Sequence, residues 1–210
     1  MSSTLSTFAQ GTVIFNNRIT GVLITHVYAG GTQIIIGNAS DDTPTGSTSY
    51  AGLSLVGANG TGGFFGAGTT FAQLLAAPGS NAPESSLVPA NNVTTFRTGA
   101  AAGNVVGITS TLVGVPVDAP SATIEMVVWD NSSGLYPNWT QAWPAFLSGL
   151  IAAAWSNRFV VSNIGGGVNS APNLIGLQSF NIYFIPEPAT SALALLGLVG
   201  MVCFHRKTKP

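Results

Sequence analysis

The sequence predicts an all-β protein: a single β-sandwich, jelly-roll-like or Ig-like, with one short helix and a C-terminal transmembrane helix. Three observations carry this reading. The apolar segments of residues 11–185 are short, rich in Val, Ile, Thr and Phe, and punctuated by turn residues. Ala122–Trp129 alternates with period two, with Ile124, Met126 and Val128 on one face and Thr123, Glu125, Val127 and Trp129 on the other. The run Ala189–Phe204 is uncharged and apolar all round, which no surface helix of a soluble domain tolerates.

In chain order, Gly11–Asn16 and Gly21–Tyr28 read as a first strand pair joined by a hairpin or bulged connection around Asn16-Asn17. Gly30–Gly46 is less regular, with an apolar run at Gln33–Ile36 and a loop at Asn38–Thr45. Tyr50–Val56 is a strand. Ala58–Gly68 is a Gly-rich loop pinned by Phe64-Phe65, and Thr69–Ala77 reads as a strand, with a helical turn at Ala72–Ala77 as the alternative. Pro78–Ser86 is a turn. Val93–Arg97, Val105–Val113, Ala122–Trp129, Arg158–Asn163 and Leu174–Ile185 complete the strands. Pro144–Ala154 reads as a short helix or compact loop closing one end of the sandwich, because Pro144 suits a first turn and Phe146, Leu147, Leu150, Ile151 and Ala154 fall near helical spacing. A solenoid requires a repeat of fixed period, and none is present.

Residues 11–185 suffice for one domain with a sizeable core, and no charged or Pro-rich linker divides them. This body carries Arg18, Arg97 and Arg158 against Asp41, Asp42, Glu84, Asp118, Glu125 and Asp130, a formal charge of −3 with no lysine. That balance excludes the basic footprint of a nucleic-acid binder. Only 6% of the whole chain is charged, so solubility rests on Ser, Thr, Asn, Gln and Gly, a surface suited to a crowded matrix. The single cysteine, Cys203, lies in the apolar run and leaves the body without a disulfide or thiolate ligand.

The C-terminal residues 186–210 have three parts. Pro186-Glu187-Pro188 is a stiff extended segment, since proline fits neither a strand ladder nor a helix interior. Residues 189–204 would span about 24 Å as a helix, short against a hydrocarbon core of about 30 Å. Arg206, Lys207 and Lys209, half of the chain's Lys and Arg, form a basic stop in 205–210 that favours the cytoplasmic side. This order resembles the PEP-CTERM sorting signal of diderm bacteria. The resemblance covers about an eighth of the chain. It implies recognition of Pro186, Glu187 and Pro188 by an exosortase, transient anchoring in the inner membrane, processing, and delivery to the cell surface or extracellular matrix. The body is also similar, more weakly, to secreted verrucomicrobial-type PEP-CTERM proteins, through Gln10–Asn17, Phe96-Arg97-Thr98-Gly99, Gly165-Gly166-Gly167 and Leu177-Gln178-Ser179-Phe180. That likeness implies no activity. Export needs a signal peptide, and residues 1–10 lack its basic and apolar regions. Small residues Thr7 and Ala9 take the −3 and −1 positions of a cleavage site before Gln10 or Gly11, so residues 1–10 are expected to be the end of a signal peptide that starts upstream.

Candidate chemistry is sparse. His26 is the body's only histidine, no sequence pattern supplies an orienting partner, and it reads as structural. Zinc needs three or four ligands, which one histidine without cysteine does not provide. Asp41-Asp42 with Asn38, and Asp130-Asn131, suggest loop oxygens for calcium but read more simply as solvated turns. Glu125 and Asp130 are the conceivable glycosidase pair, with Glu125 read as solvated or paired. Gly60–Gly68 and Gly165–Gly167 lack the Gly-Lys-Ser/Thr of a phosphate loop. Trp129, Trp139, Trp143 and Trp155 cluster around the helical segment. They read as plugging the end of the core, with Trp139, Trp143 and Tyr136 as the candidate sugar-stacking residues beside Asn138, Gln141 and Asn157. The expectation is an exported, non-enzymatic surface or matrix protein with no cofactor and no metal. Its expected partners are an exosortase, the membrane and an exopolysaccharide; the alternatives are a carbohydrate-binding module and a glycan-active enzyme.

Overall fold

Strand Ser121–Asp130 runs through the middle of the structure and is buried along nine of its ten residues, on both faces. The computed structural model describes residues 9–185. The predicted sorting motif Pro186-Glu187-Pro188, the membrane helix 189–204 and the basic residues Arg206, Lys207 and Lys209 lie outside the described residues, as do residues 1–8. No helix among the described residues is long and apolar enough to cross a membrane.

The chain is mostly β with one short helix. In order the strands are β1 (Gln10–Phe15), β2 (Arg18–Ile19), β3 (Leu23–Ile24), β4 (Val27–Ala29), β5 (Ser54–Leu55), β6 (Thr70–Pro78), β7 (Val88–Thr94), β8 (Ile108–Pro116) and β9 (Ser121–Asp130). Helix α1 (Trp139–Leu147) follows, and then β10 (Ala153–Trp155), β11 (Phe159–Ser162) and β12 (Phe180–Ile182). The largest sheet has β9 paired antiparallel to β6 on one side, with β7 beyond it. On its other side β9 pairs with β10 and then with β11. A β1–β8 pair, a β12–β4–β5 sheet and a short β2–β3 ladder make up the rest.

Alternation along β9 and β6 divides their side chains between two apolar clusters. Ile124, Met126 and Val128 of β9 and Ala72, Leu74 and Ala76 of β6 pack with Val13 and Phe15 of β1, Leu112 of β8, Val27 of β4 and Phe180 and Ile182 of β12. Leu75, Val127 and Trp129 face the opposite way, under Trp139, Ala142, Ala145 and Phe146 of α1. The two faces assigned to β9 from its sequence are therefore the two faces found. Glu125 departs from expectation: it is 4% exposed, because α1 and its flanking segments cover the face that looked open to water.

Several elements differ from the sequence reading for identifiable reasons. The expected first hairpin does not form; β1 pairs instead with β8, nearly a hundred residues away, and only Arg18–Ile19 and Leu23–Ile24 make a local ladder. The helix begins five residues before Pro144. The Asn138 side chain accepts from Gln141 N–H at 3.1 Å, and Asn138 Nδ2 donates back to the Gln141 side chain at 3.1 Å, capping a start at Trp139. The helix stops before Ala154 because Gly149 takes φ +71°, with Gly149 N–H donating to Phe146 O and Leu150 N–H to Ala145 O. That is a Schellman ending, and it frees Ala153–Trp155 to join the sheet. The Gly165–Gly167 turn is closed by Asp118, whose carboxylate accepts from the amides of Gly167, Val168 and Asn169 at 3.2, 2.7 and 2.9 Å. Those three bonds hold the Asp118 pKa below its ordinary value.

Asn17, fully buried, ties the start of the chain to a distant loop. Its Nδ2 donates to Thr25 O and Gly103 O at 2.8 and 3.1 Å, and its Oδ1 accepts from Val105 N–H at 2.9 Å. Truncation orphans the Val105 amide in the core. Asn17→Ala is expected to lower stability by about 2–3 kcal/mol, read as a reduced urea midpoint at unchanged m-value.

Candidate functional site

An open cleft of about 570 Å³ lies on the α1 side of the main sheet. Trp139, Trp143 and Trp155 line it with Leu75, Leu87, Pro89 and Val127, and two carboxylates, Glu84 and Glu125, complete it. Each element that supplies a wall is fixed by local chemistry. Trp139 is held at the helix start, where its N–H donates to the Gln73 side chain at 2.9 Å, and Gln73 in turn donates to Ala90 O at 2.7 Å. The Gln73 amide thus links β6, β7 and α1. Glu84 sits on a single 3₁₀ turn, Glu84–Ser86, which leads into β7.

The floor of the cleft depends on a break in one strand. β10 ends at Trp155, opposite Val127, and β11 begins at Phe159, opposite Ile124. The interruption Ser156–Arg158 therefore falls beside Glu125 and Met126. Ser156 repairs the ladder there: its N–H donates to Met126 O at 2.8 Å, and its hydroxyl accepts from Met126 N–H at 3.0 Å. Glu125 has no hydrogen-bond partner among the described residues. Burial, reinforced by the Glu84 charge and partly offset by Arg158, pushes its pKa up to about 7 from 4.5. The Arg158 guanidinium instead donates to Ala82 O at 3.2 Å. The cleft thus pairs a buried carboxyl that exchanges its proton near neutrality with an exposed carboxylate, inside an aromatic wall.

The aromatic residues form one connected group. Trp129 is tilted against Trp139 at 5.9 Å between centroids, Trp139 against Trp143 at 5.5 Å, and Trp143 meets Trp155 edge-on at 5.8 Å. Phe146 touches both Trp143 and Trp155. Packing and cleft lining therefore coexist: Trp129 is wholly buried, whereas Trp143 and Trp155 are half-buried at the cleft. Of the candidate stacking residues, Trp139 and Trp143 line the cleft and Tyr136 does not. Tyr136 is held in the loop after β9, its N–H donating to Asn131 Oδ1 and its carbonyl accepting from Trp129 Nε1, both at 2.8 Å. Trp155 takes the place expected for it.

The remaining candidates resolve differently. Glu125 and Asp130 lie on opposite faces of β9, which excludes them as a glycosidase pair. Asp130 accepts from Phe65 N–H at 3.0 Å and from the Ser132 hydroxyl at 2.6 Å, pinning the Gly-rich loop. Asp42 is buried rather than solvated, and His26 does have an orienting partner: its Nδ1 lies 2.8 Å from Asp42 Oδ1. Asp42 Oδ2 accepts from the Ser179 hydroxyl at 2.7 Å and from Ala39 N–H, while Ser179 Oγ accepts from His26 N–H at 2.7 Å. Ser179 thus bonds the aspartate and not the imidazole, which is not the order a nucleophilic triad requires. Ligand atoms of His26, Asp41 and Asp42 fall within 4.8 Å of one another, but the Asp42 oxygens and His26 Nδ1 are already committed to this network.

Comparison with known proteins gives no matching family model, no matching curated protein and no matching solved structure.

The Glu125 carboxyl gives stability a defined pH dependence. Its folded pKa, about 7, exceeds the ordinary 4.5, so the folded chain keeps a proton that the unfolded chain releases between those values. This contribution is present at acid pH and fades as pH rises through that window. Glu125→Gln has no such proton. It is expected to match the parent protein at about pH 4 and exceed its stability by on the order of 1–2 kcal/mol at about pH 8, allowing for water in the cleft. Unfolding midpoints at the two pH values test this; parallel pH profiles for the two proteins count against it.

Proposed function

We propose that the chain is an exported cell-surface or extracellular-matrix protein of a diderm bacterium, sorted and processed by an exosortase through residues 186–210, with a non-enzymatic β body. The observation that carries this reading is the adjacency of Pro186-Glu187-Pro188, an uncharged apolar run and the basic residues Arg206, Lys207 and Lys209. The transient inner-membrane anchor and the assignment of the body to a jelly-roll-like or Ig-like sandwich belong to the same proposal. A surface poor in charge, with no lysine in residues 11–185, supports residence in a hydrated, polysaccharide-rich matrix.

A second reading refines the first: the body is a carbohydrate-binding module for exopolysaccharide. The cleft favours it, because Trp139, Trp143 and Trp155 line one wall beside Glu84 and Glu125. Ligand sites of this kind are concave, mostly apolar and furnished with a few polar groups that fix orientation.

Removal of residues 186–210 from a tagged full chain is expected to shift the protein from the envelope to the periplasm or medium; an unchanged location sinks the sorting proposal. For the body, affinity electrophoresis in gels containing matrix polysaccharide is expected to show retardation that Trp143→Ala weakens about tenfold, or about 1.4 kcal/mol. Trp143 is the better probe than Trp139. The latter is 8% exposed and part of the second apolar cluster, so Trp139→Ala would cost about 3–5 kcal/mol of stability. Absent retardation, or equal retardation of the variant, counts against a glycan site in this cleft.

A further inference from the structure

The carboxyl of Glu125 is the feature of the cleft that a neutral sugar leaves unexplained. Glu125 is 4% exposed as a residue, its side chain lines the cleft, and it makes no hydrogen bond among the described residues. A second carboxylate, Glu84, reaches the same cavity from a separate element. Two carboxyl groups converging on one apolar cleft repel each other and disfavour ionisation of the buried one, a standing cost unless a positive charge joins them. Arg158 offsets that cost only in part: it bonds to the Ala82 carbonyl and forms no salt bridge with either carboxylate among the described residues.

The aromatic part of the lining has the complementary character. Indole faces attract cations through their quadrupole, and most strongly where water is excluded. A cleft that combines three tryptophans with two carboxylates is matched to an organic cation. We propose that it takes the ammonium group of an amino sugar, presented by a polysaccharide with unacetylated amino groups, with Glu84 and Glu125 facing the charge and Trp139, Trp143 and Trp155 covering the sugar. This inference rests on the cleft being a glycan site. An N-acetylated sugar lacks the charge, and an anionic glycan is repelled by both carboxylates. Binding of the cation also favours ionised Glu125, reversing the effect of Glu84.

The test is calorimetry on the purified full chain with three oligosaccharides of equal length: a glucosamine oligomer, its fully N-acetylated counterpart and a neutral glucose oligomer. The expected result is about tenfold or greater preference for the glucosamine oligomer over both others, weakened by added salt. Glu125→Gln is expected to abolish the preference, and Glu84→Gln, at an exposed position, to reduce it several-fold. Equal binding of all three oligomers overturns the ammonium inference and leaves the glycan reading standing. Binding of none overturns both. Glucosamine binding that Trp143→Ala and both Glu variants leave unchanged is adsorption elsewhere by net charge, and overturns the inference. A last arm uses tetramethylammonium alone: binding as tight as the oligomer identifies a small free cation as the ligand and overturns the amino-sugar assignment.

Discussion

Burial of β9 on both faces is the constraint on which the rest of the molecule depends. An antiparallel strand usually keeps one face in water, and its alternating pattern then separates apolar from polar residues. β9 has no such face. Its even-numbered residues Ile124, Met126 and Val128 fill the core shared with β1, β4, β8 and β12, and its odd-numbered Val127 and Trp129 anchor the aromatic layer under α1. The helix is thus a second cover on the sheet rather than a plug at its end. Covering that face is also what places a carboxyl where water is scarce, because Glu125 belongs to the same odd-numbered row.

The cleft follows from an incomplete cover. A continuous strand beside β9 would seat a side chain against Glu125. The chain instead breaks between β10 and β11, and Ser156 supplies through its hydroxyl a bond that the regular ladder would have taken from the backbone. Met126 keeps both its backbone bonds at the break, which leaves space at one point of the outer face of β9. Glu84 and Arg158 then set the electrostatics of that space from opposite directions, one raising and one lowering the Glu125 pKa. The carboxyl remains sensitive to any charge that enters.

Legibility in the sequence followed the range of the interactions. β6, β9 and β11 were readable to within a residue or two, because period-two alternation is local. Partners were not: β1 chose β8 over the nearby Leu23–Ile24, a choice made by shared burial of Val13, Phe15 and Leu112 that no window along the chain contains. The helix start was legible in principle from Asn138 and Gln141, but Pro144 offered a stronger-looking signal that turned out to be internal. Among site residues, the tryptophans were visible as a cluster, and Trp139 and Trp143 line the cleft. Glu84 was not, since it lies 41 residues from Glu125 and only the fold brings the two together. The His26–Asp42–Ser179 network was hidden for the same reason, its members joining segments 16 and 137 residues apart.

All four tryptophans of the chain fall in one unbroken aromatic series, Trp129 to Trp139 to Trp143 to Trp155. The protein's tryptophan emission therefore originates in a single corner of the molecule, and excitation passes among indoles less than 6 Å apart. Fluorescence is blind to the core between the sheets, where the large residues are Phe, Leu, Ile and Met. Circular dichroism sees mainly that core's strands. The two signals consequently watch different layers of the same β9, and their coincidence or separation during unfolding reports directly whether the layers melt as one cooperative unit.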